Sequence, residues 1–279
     1  MRPQYSGTTD AGPQRDAPEA VPVLGVKAVS KRFVSGGMSP SSLDVLSGID
    51  LDLARGEFVS IVGPSGCGKS TLLNLISGLD TDYDGEINLN GDGAAPRIGR
   101  VPYMHQRDLL LPWRTVLDNA TISLEIRGAG KRRAREEALV HLDEFGLAEF
   151  AFSYPSEISG GMRQRVALLR ATLPGAELLL LDEPFGALDA ITRSSMHTWL
   201  SQLLAGSERA VLLVTHDVEE ALLLSDRVHV MSSRPGRIVS TLDVEFPRPR
   251  DAGIVTSPQF VELKARLLRV LSDSSGVAA

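Results

Sequence analysis

The sequence of 279 residues contains a single cysteine, Cys67, so no disulfide bond can form within the chain. A chain of this length can bury a core without cross-links, and one lone thiol suits a reducing compartment. No apolar run approaches the roughly 20 residues that a transmembrane helix requires. The first residues, MRPQYSG, do not form the apolar segment of a secretory signal peptide. If the protein works at a membrane, we expect it to attach there through a partner protein.

Positive charge is also scarce, because 29 Lys and Arg residues are outnumbered by 35 Asp and Glu residues, giving a net charge of −6. Proteins whose main partner is nucleic acid usually present a basic field. We therefore expect no nucleic-acid partner. The basic segment Lys131-Arg132-Arg133 opens a charged amphipathic helix predicted over 131–145. It is either a local binding patch or, more commonly for such a run, a solvated helix face.

Composition and apolar patterning indicate how the chain is organised. Residues 1–22 are rich in Pro, Gly, Thr, Gln and Asp and predict a flexible tail, and Ser35–Ser42 predicts a loop between strands. Short apolar runs are typical of buried strands in a parallel sheet, and three occur at Phe58–Val62, Leu178–Leu181 and Val211–Val214, of which the last two are fully apolar. Helical patterns lie between them. The sequence therefore predicts an α/β fold with a mostly parallel central sheet.

A phosphate-binding loop follows the first of these strands. Gly63–Ser70 (GPSGCGKS) matches G-x-x-x-x-G-K-[ST] at every fixed position, and a helix is predicted over Lys69–Leu79. Glycines let the backbone wrap around phosphate, Lys69 places a cation on the β- and γ-phosphates, and the Ser70 hydroxyl binds Mg²⁺. The variable Cys67 is interpreted as a packing residue. The predicted nucleotide-binding set is Gly63, Pro64, Ser65, Gly66, Cys67, Gly68, Lys69, Ser70 and Thr71.

Two acids end the apolar run at Leu178–Leu181. Asp182 has the position of a Mg²⁺ ligand, because hard cations prefer oxygen donors. Glu183 follows directly and is the candidate general base that polarises the attacking water. The alternative is a buried strand whose terminal acids are only solvated, but the nearby phosphate loop favours the catalytic interpretation.

The segment Ile158–Arg165 (ISGGMRQR) resembles the signature motif of ABC ATPases, usually written L-S-G-G-Q. Ser159, Gly160 and Gly161 begin a predicted helix, where unpaired N–H groups favour an anion. The resemblance implies that this motif completes the nucleotide pocket of a second copy of the chain, so that ATP is sandwiched between the two. A plain Ser-Gly-Gly helix cap is the alternative. Met162 stands where the family usually has Gln, which puts one side-chain contact in doubt.

Further elements resemble the same family in the expected order. Gln106 is similar to the Q-loop glutamine, which contacts Mg²⁺ or water beside the permease, and Asp189 belongs to a segment similar to the D-loop at the dimer interface. His216 resembles the switch histidine that contacts the γ-phosphate. Phe33 resembles the aromatic residue that stacks on adenine, although a core phenylalanine is an equal alternative.

The resemblance covers roughly residues 23–250. It implies a P-loop NTPase with a mostly parallel central sheet, an N-terminal antiparallel β subdomain and a helical signature-motif subdomain at about residues 107–172. Residues 251–279 are expected to form a C-terminal helix and tail.

The finer pattern resembles the nitrate/sulfonate/taurine group of bacterial ABC importers, which includes importers of thiamine-precursor pyrimidines. Three segments carry this likeness: Asp108–Val116, Asp182–Arg193 and Ser233–Ile238. The resemblance implies an ATPase that uses ATP and Mg²⁺, pairs with a second copy and a membrane permease, and serves a solute-binding protein indirectly. Its expected location is peripheral, on the cytoplasmic face of the inner membrane. The alternative is a soluble ABC ATPase acting on DNA or ribosomes, against which the close spacing of the motifs and the single cassette argue.

Overall fold

The computed structural model describes residues 21–35, 41–94 and 96–274. The predicted tail over residues 1–22 therefore lies outside the described residues except for Val21 and Pro22. The centre of the predicted loop at Ser35–Ser42 also lies outside them, between a strand that ends at Ser35 and one that begins at Ser41.

The described residues form nine strands and eight α-helices. In chain order these are β1 (Leu24–Ser35), β2 (Ser41–Leu53), β3 (Phe58–Val62), α1 (Lys69–Ser77), β4 (Asp84–Leu89), β5 (Tyr103–Met104), α2 (Val116–Ala120), α3 (Ile122–Ile126), α4 (Lys131–Leu142), α5 (Gly160–Thr172), β6 (Leu178–Asp182), α6 (Ala190–Leu203), β7 (Ala210–Thr215), α7 (Val218–Leu224), β8 (Arg227–Met231), β9 (Ile238–Asp243) and α8 (Pro258–Ser274). None of these helices is long and apolar enough to cross a membrane.

The central sheet has six strands in the order β5-β6-β7-β3-β8-β9. All neighbours are parallel except β9, which runs antiparallel to β8. Every residue of β3, β6 and β7 is buried, as their mainly apolar sequences predicted. Because the carboxyl ends of parallel strands meet at one edge, the segments after β3, β6 and β7 converge there. This edge carries the phosphate loop, Asp182 and His216.

A second sheet packs on the first and is antiparallel, with strand order β2-β1-β4. Leu24 of β1 pairs with Leu53 on one side and Leu89 on the other. The predicted N-terminal antiparallel sheet is therefore present. Alternate residues of β3 face opposite ways: Phe58 and Val62 join the helices in one core cluster, while Val59 and Ile61 join the antiparallel sheet and α1 in another.

Two helices end earlier than their sequence patterns predicted. Helix α1 stops at Ser77 instead of continuing to Leu79, because Gly78 adopts a left-handed conformation with φ 82° and donates its N–H to the Leu75 carbonyl. Helix α4 stops at Leu142 instead of Phe145. Gly146, with φ 62°, turns the chain just beyond it. The charged start of α4 is exposed, which agrees with a solvated face.

Helices α2 to α5 form a separate helical layer between β5 and β6. The buried Asn119 of α2 anchors the loop that precedes this layer. Its Oδ1 accepts the Leu111 N–H at 2.7 Å, and its Nδ2 donates to the carbonyls of Leu111, Arg114 and Thr115 at 3.0–3.1 Å. A single amide thus holds the segment downstream of Gln106 against the helices.

Candidate nucleotide-binding and hydrolysis site

The phosphate loop joins β3 to α1 and fits only glycine at its tightest points. A Cβ atom on Gly63 would lie 2.7 Å from the Met231 carbonyl oxygen. Gly68 has φ 109°, and a Cβ there would lie 2.7 Å from Leu46 Cδ2. No side chain caps α1, so the N–H groups of its first turn are left for a ligand. The loop is therefore shaped by its neighbours into an anion cradle.

Lys69 lies beneath this cradle. Its side chain is buried, and Nζ donates to the carbonyl oxygens of Gly63 at 2.8 Å and Pro64 at 2.9 Å. Ser65, Gly66 and Ser70 are exposed at the mouth of the loop. Cys67 is buried in the core, in agreement with the packing role predicted for it.

Asp182 ends β6 beside the phosphate loop. It is buried, and it accepts hydrogen bonds from the Ser70 hydroxyl and, at 3.0 Å, from Tyr103 Oη. Burial raises the pKa of Asp182, while these two hydrogen bonds act in the opposite direction. A hydroxyl, one carboxylate and the nearby Gln106 amide are hard oxygen donors that suit Mg²⁺. The described residues contain no cluster of three or more His, Cys, Asp or Glu that could hold a metal ion.

Glu183 is held by contacts on three sides. Its backbone is left-handed, with φ 45°, and its N–H donates to the Val214 carbonyl at 2.8 Å. Its Oε2 accepts from Gln106 Nε2 at 2.9 Å, and its Oε1 lies 3.3 Å from His216 Nδ1. The structure thus brings together the three residues predicted to act in catalysis. Backbone strain at a non-glycine residue persists where the surroundings enforce it, commonly at functional sites.

The turn that carries His216 is braced from inside the protein. The Thr215 hydroxyl hydrogen-bonds to the carboxylate of the buried Glu220, and it accepts the Asp217 N–H at 2.9 Å. Sequence analysis missed Glu220. Nothing in the sequence separates it from the adjacent Glu219, which forms an ion pair with Lys264 on α8.

The signature segment begins α5. Ser159 is its N-cap and accepts the Met162 N–H at 3.2 Å. The segment therefore also caps the helix, which was the alternative interpretation of the Ser-Gly-Gly sequence. A Cβ on Gly161 would lie only 2.9 Å from Thr192 Cγ2, which places the signature against the start of α6. No hydrogen bond or ion pair among the described residues joins Ser159, Gly160 or Gly161 to the phosphate loop.

Asp189 and Phe33 occupy exposed positions. Asp189 caps α6 by accepting the N–H groups of Ile191 at 3.1 Å and Thr192 at 3.0 Å, and these bonds, that of Thr192 first, lower its pKa. The Phe33 side chain is 45% exposed, so the alternative of a core phenylalanine is wrong. Phe33 pairs with Leu43 of β2, and the same strand borders the phosphate loop at Val45.

Tyr103 is a site residue that no sequence motif identified. Replacing Tyr103 with phenylalanine is expected to raise the Mg²⁺ concentration for half-maximal ATP hydrolysis by about tenfold, because the hydroxyl orients the Asp182 carboxylate. A Mg²⁺ titration at saturating ATP measures this. Tyr83→Phe is the control, since Tyr83 Oη bonds Arg97 instead. Identical titration curves for wild type and Tyr103→Phe would contradict the assignment.

Comparison with known proteins agrees with this geometry. The family model described as "ABC transporter" matches residues 46–186. The chain belongs to the ABC transporter family, and it is an ATPase that uses ATP and Mg²⁺.

Several individual proteins are similar to the chain over most of its length. The chain is 43% identical over 256 residues to an aliphatic sulfonates import ATP-binding protein of Burkholderia lata, covering 90% of this chain and 87% of the relative. It is 38% identical to a protein of the same description from Bacillus cereus, covering 88% and 94%. The dimeric ABC transporter cassette MJ0796 matches with TM-score 0.69 and 30% identity over 80% of this chain and all of that one. The same cassette is known in a post-hydrolysis state bound to ADP and Pi.

Proposed function

We propose that this chain is the ATP-hydrolysing subunit of a bacterial import system that takes up aliphatic sulfonates through a separate membrane permease. Two relatives from different genera carry that description over nearly the whole chain. The alternative of an ATPase acting on DNA or ribosomes is not favoured by these names. The working location is the cytoplasmic face of the inner membrane, where the chain is held by the permease.

The proposed hydrolysis uses the residues gathered at the carboxyl edge of the sheet. ATP phosphates lie in the loop at Gly63–Ser70, with Lys69 countering their charge. Ser70, Asp182 and Gln106 would hold Mg²⁺, and the ion would neutralise part of the phosphate charge. Glu183 accepts a proton from the attacking water, and His216 fixes the orientation of Glu183.

Pairing of two copies would complete each nucleotide site with residues of the other copy. In the proposed dimer, Ser159, Gly160 and Gly161 of one copy close over the phosphate loop of the other. Phe33 stacks on adenine, and Asp189 lies at the dimer interface. The dimeric assembly of the similar cassette supports this arrangement.

The observation that carries the link to a permease is an apolar groove beside the catalytic residues. The groove has a volume of about 410 Å³ and lies between the loop after Gln106 and the helices α3 and α5. Its apolar lining includes Leu109, Leu111, Ile122, Ile126 and Ala167. We propose that a short helix of the permease occupies it.

The groove is tied directly to the signature helix. Arg170 of α5 donates to the carbonyls of Leu109 at 2.9 Å and Asp108 at 2.6 Å, and Arg163 forms an ion pair with the Asp108 carboxylate at 3.2 Å. Gln106, two residues before Asp108, contacts Glu183. Movement of α5 when two copies close would therefore move the groove and its occupant.

A charged residue in the groove tests the proposal. Ile126→Asp is expected to abolish copurification with the permease and ATP-driven uptake of a labelled aliphatic sulfonate, while the isolated subunit still hydrolyses ATP. Ile126 is 78% exposed, so the change spares the core. Val140→Asp is the matched control, because Val140 is 76% exposed on α4 but does not line the groove. Normal uptake by Ile126→Asp would contradict the docking surface. A permease complex that transports other solutes but no sulfonate would contradict the proposal that the transported solute is an aliphatic sulfonate.

A further inference from the structure

The loop at 232–237, between β8 and β9, packs directly on the outside of the phosphate loop. Gly236 donates its N–H to the Val45 carbonyl at 2.8 Å, and its own carbonyl accepts from Ser47 at 3.0 Å. A Cβ on Gly236 would lie 2.3 Å from the Cys67 carbonyl oxygen. The backbone of this loop is therefore held against the phosphate loop by contacts that leave no room for a side chain.

Arg234 extends from this loop to the phosphate loop itself. Its Nε and Nη2 both donate to the Gly66 carbonyl oxygen, at 3.1 Å and 2.7 Å. Among the described residues, no carboxylate forms an ion pair with Arg234. The guanidinium is exposed, so its positive charge stays unneutralised at the mouth of the nucleotide site.

The contact has two physical consequences for a bound phosphate. Gly66 has φ 76° and lies in an exposed part of the loop. The peptide unit that carries its carbonyl is held on the other side by a long hydrogen bond, from the Cys67 N–H to the Pro64 carbonyl at 3.4 Å. A carbonyl that turned inward would direct a negative dipole at the phosphates, and the two-pronged hydrogen bond keeps this oxygen outside. The unpaired cation also makes the electrostatic potential at the loop more favourable for an anion.

We propose that Arg234 is a positioning residue of the nucleotide site. It holds the Gly66 carbonyl away from the phosphates and adds positive charge beside them, so it governs the affinity for ATP. It touches neither Glu183 nor His216, so it does not govern the hydrolysis step.

The test compares variants of the full chain by steady-state ATP hydrolysis and by equilibrium binding of MgADP. Arg234→Ala is expected to raise the KM for ATP and the Kd for MgADP by about tenfold, which is the size of a lost charge-assisted hydrogen bond. The kcat should stay within about twofold of wild type. Arg234→Lys keeps the charge but loses the two-pronged bond, and it should recover part of the affinity.

Arg237→Ala is the matched control. Arg237 is an exposed arginine of the same loop, and its hydrogen bonds to other described residues involve its backbone alone, so the change removes the same charge without touching Gly66. Its KM for ATP should stay within about twofold of wild type.

Three kinetic outcomes would overturn the proposal. These are an unchanged KM in Arg234→Ala, an equal rise in KM for Arg234→Ala and Arg237→Ala, and a fall in kcat at unchanged KM. Thermal unfolding separates a positioning role from a structural one. Because the Arg234 side chain is exposed, the Tm should not change. A weaker affinity accompanied by a clearly lower Tm would also count against the proposal.

Discussion

Replacing Glu183 with glutamine is expected to lower the rate of ATP hydrolysis by about 10²- to 10⁴-fold while ATP still binds. The amide has nearly the shape of the carboxylate, so the contacts with Gln106 and His216 constrain it similarly. It cannot accept a proton from the attacking water. The phosphate loop and Lys69 are untouched, so nucleotide affinity should remain near that of wild type.

Two measurements check this expectation: the rate of phosphate release, and the oligomeric state of the protein in the presence of ATP. The Glu183→Gln protein should hydrolyse very slowly and accumulate as an ATP-bound dimer in size-exclusion chromatography. Glu177→Gln is the control, because Glu177 lies just before β6 and pairs with Arg55 and Asn90, away from the nucleotide. Near-normal turnover by Glu183→Gln would remove Glu183 as the general base.

Replacing Arg250 with alanine is expected to lower the free energy of unfolding by about 3 kcal/mol or more. The Arg250 side chain is buried, and burial lowers its pKa to about 10, so it remains charged at neutral pH. Its guanidinium donates to five backbone carbonyls, which belong to Leu222, Leu223, Ser225, Val244 and Phe246. Removing it leaves the C-terminal end of α7 and the segment after β9 with buried, unpaired oxygens.

Chemical denaturation measures the loss, with Arg248→Ala as the control. Arg248 is two residues away and more exposed; it forms an ion pair with Asp226 at 2.8 Å and donates to the Gly56 carbonyl at 2.8 Å. Its loss should cost about 1–2 kcal/mol, because it removes one partly exposed ion pair and one hydrogen bond. Arg250→Lys should recover little, because one ammonium group cannot reach carbonyls on both segments. If Arg250→Ala and Arg248→Ala unfold at the same denaturant concentration, Arg250 is not the tie between the segments.

Much of the site could be predicted from the sequence because its chemistry lies in contiguous motifs. The phosphate loop at Gly63–Ser70 and the Asp182-Glu183 pair each carry their own local structure, a strand that ends in a turn or in acids. Buried parallel strands likewise appear in the sequence as apolar runs, so the order of strands and helices along the chain could be predicted. The ends of helices were predicted less accurately. The helical spacing of α1 continues to Leu79, but Gly78 adopts a left-handed conformation that ends the helix at Ser77.

The sequence by itself determined the fold class, the phosphate loop and the identity of the acids, because each depends on residues adjacent in the chain. Only the tertiary structure decided that Gln106, Glu183 and His216 meet, that Phe33 is exposed, and that Tyr103 and Arg234 contact residues of the predicted nucleotide site. Arg234 reaches Gly66, and Tyr103 reaches Asp182, across strands that are far apart in sequence. Such contacts depend on the lateral order of strands in the sheet, and no local pattern of polar and apolar residues encodes which side chain will face which.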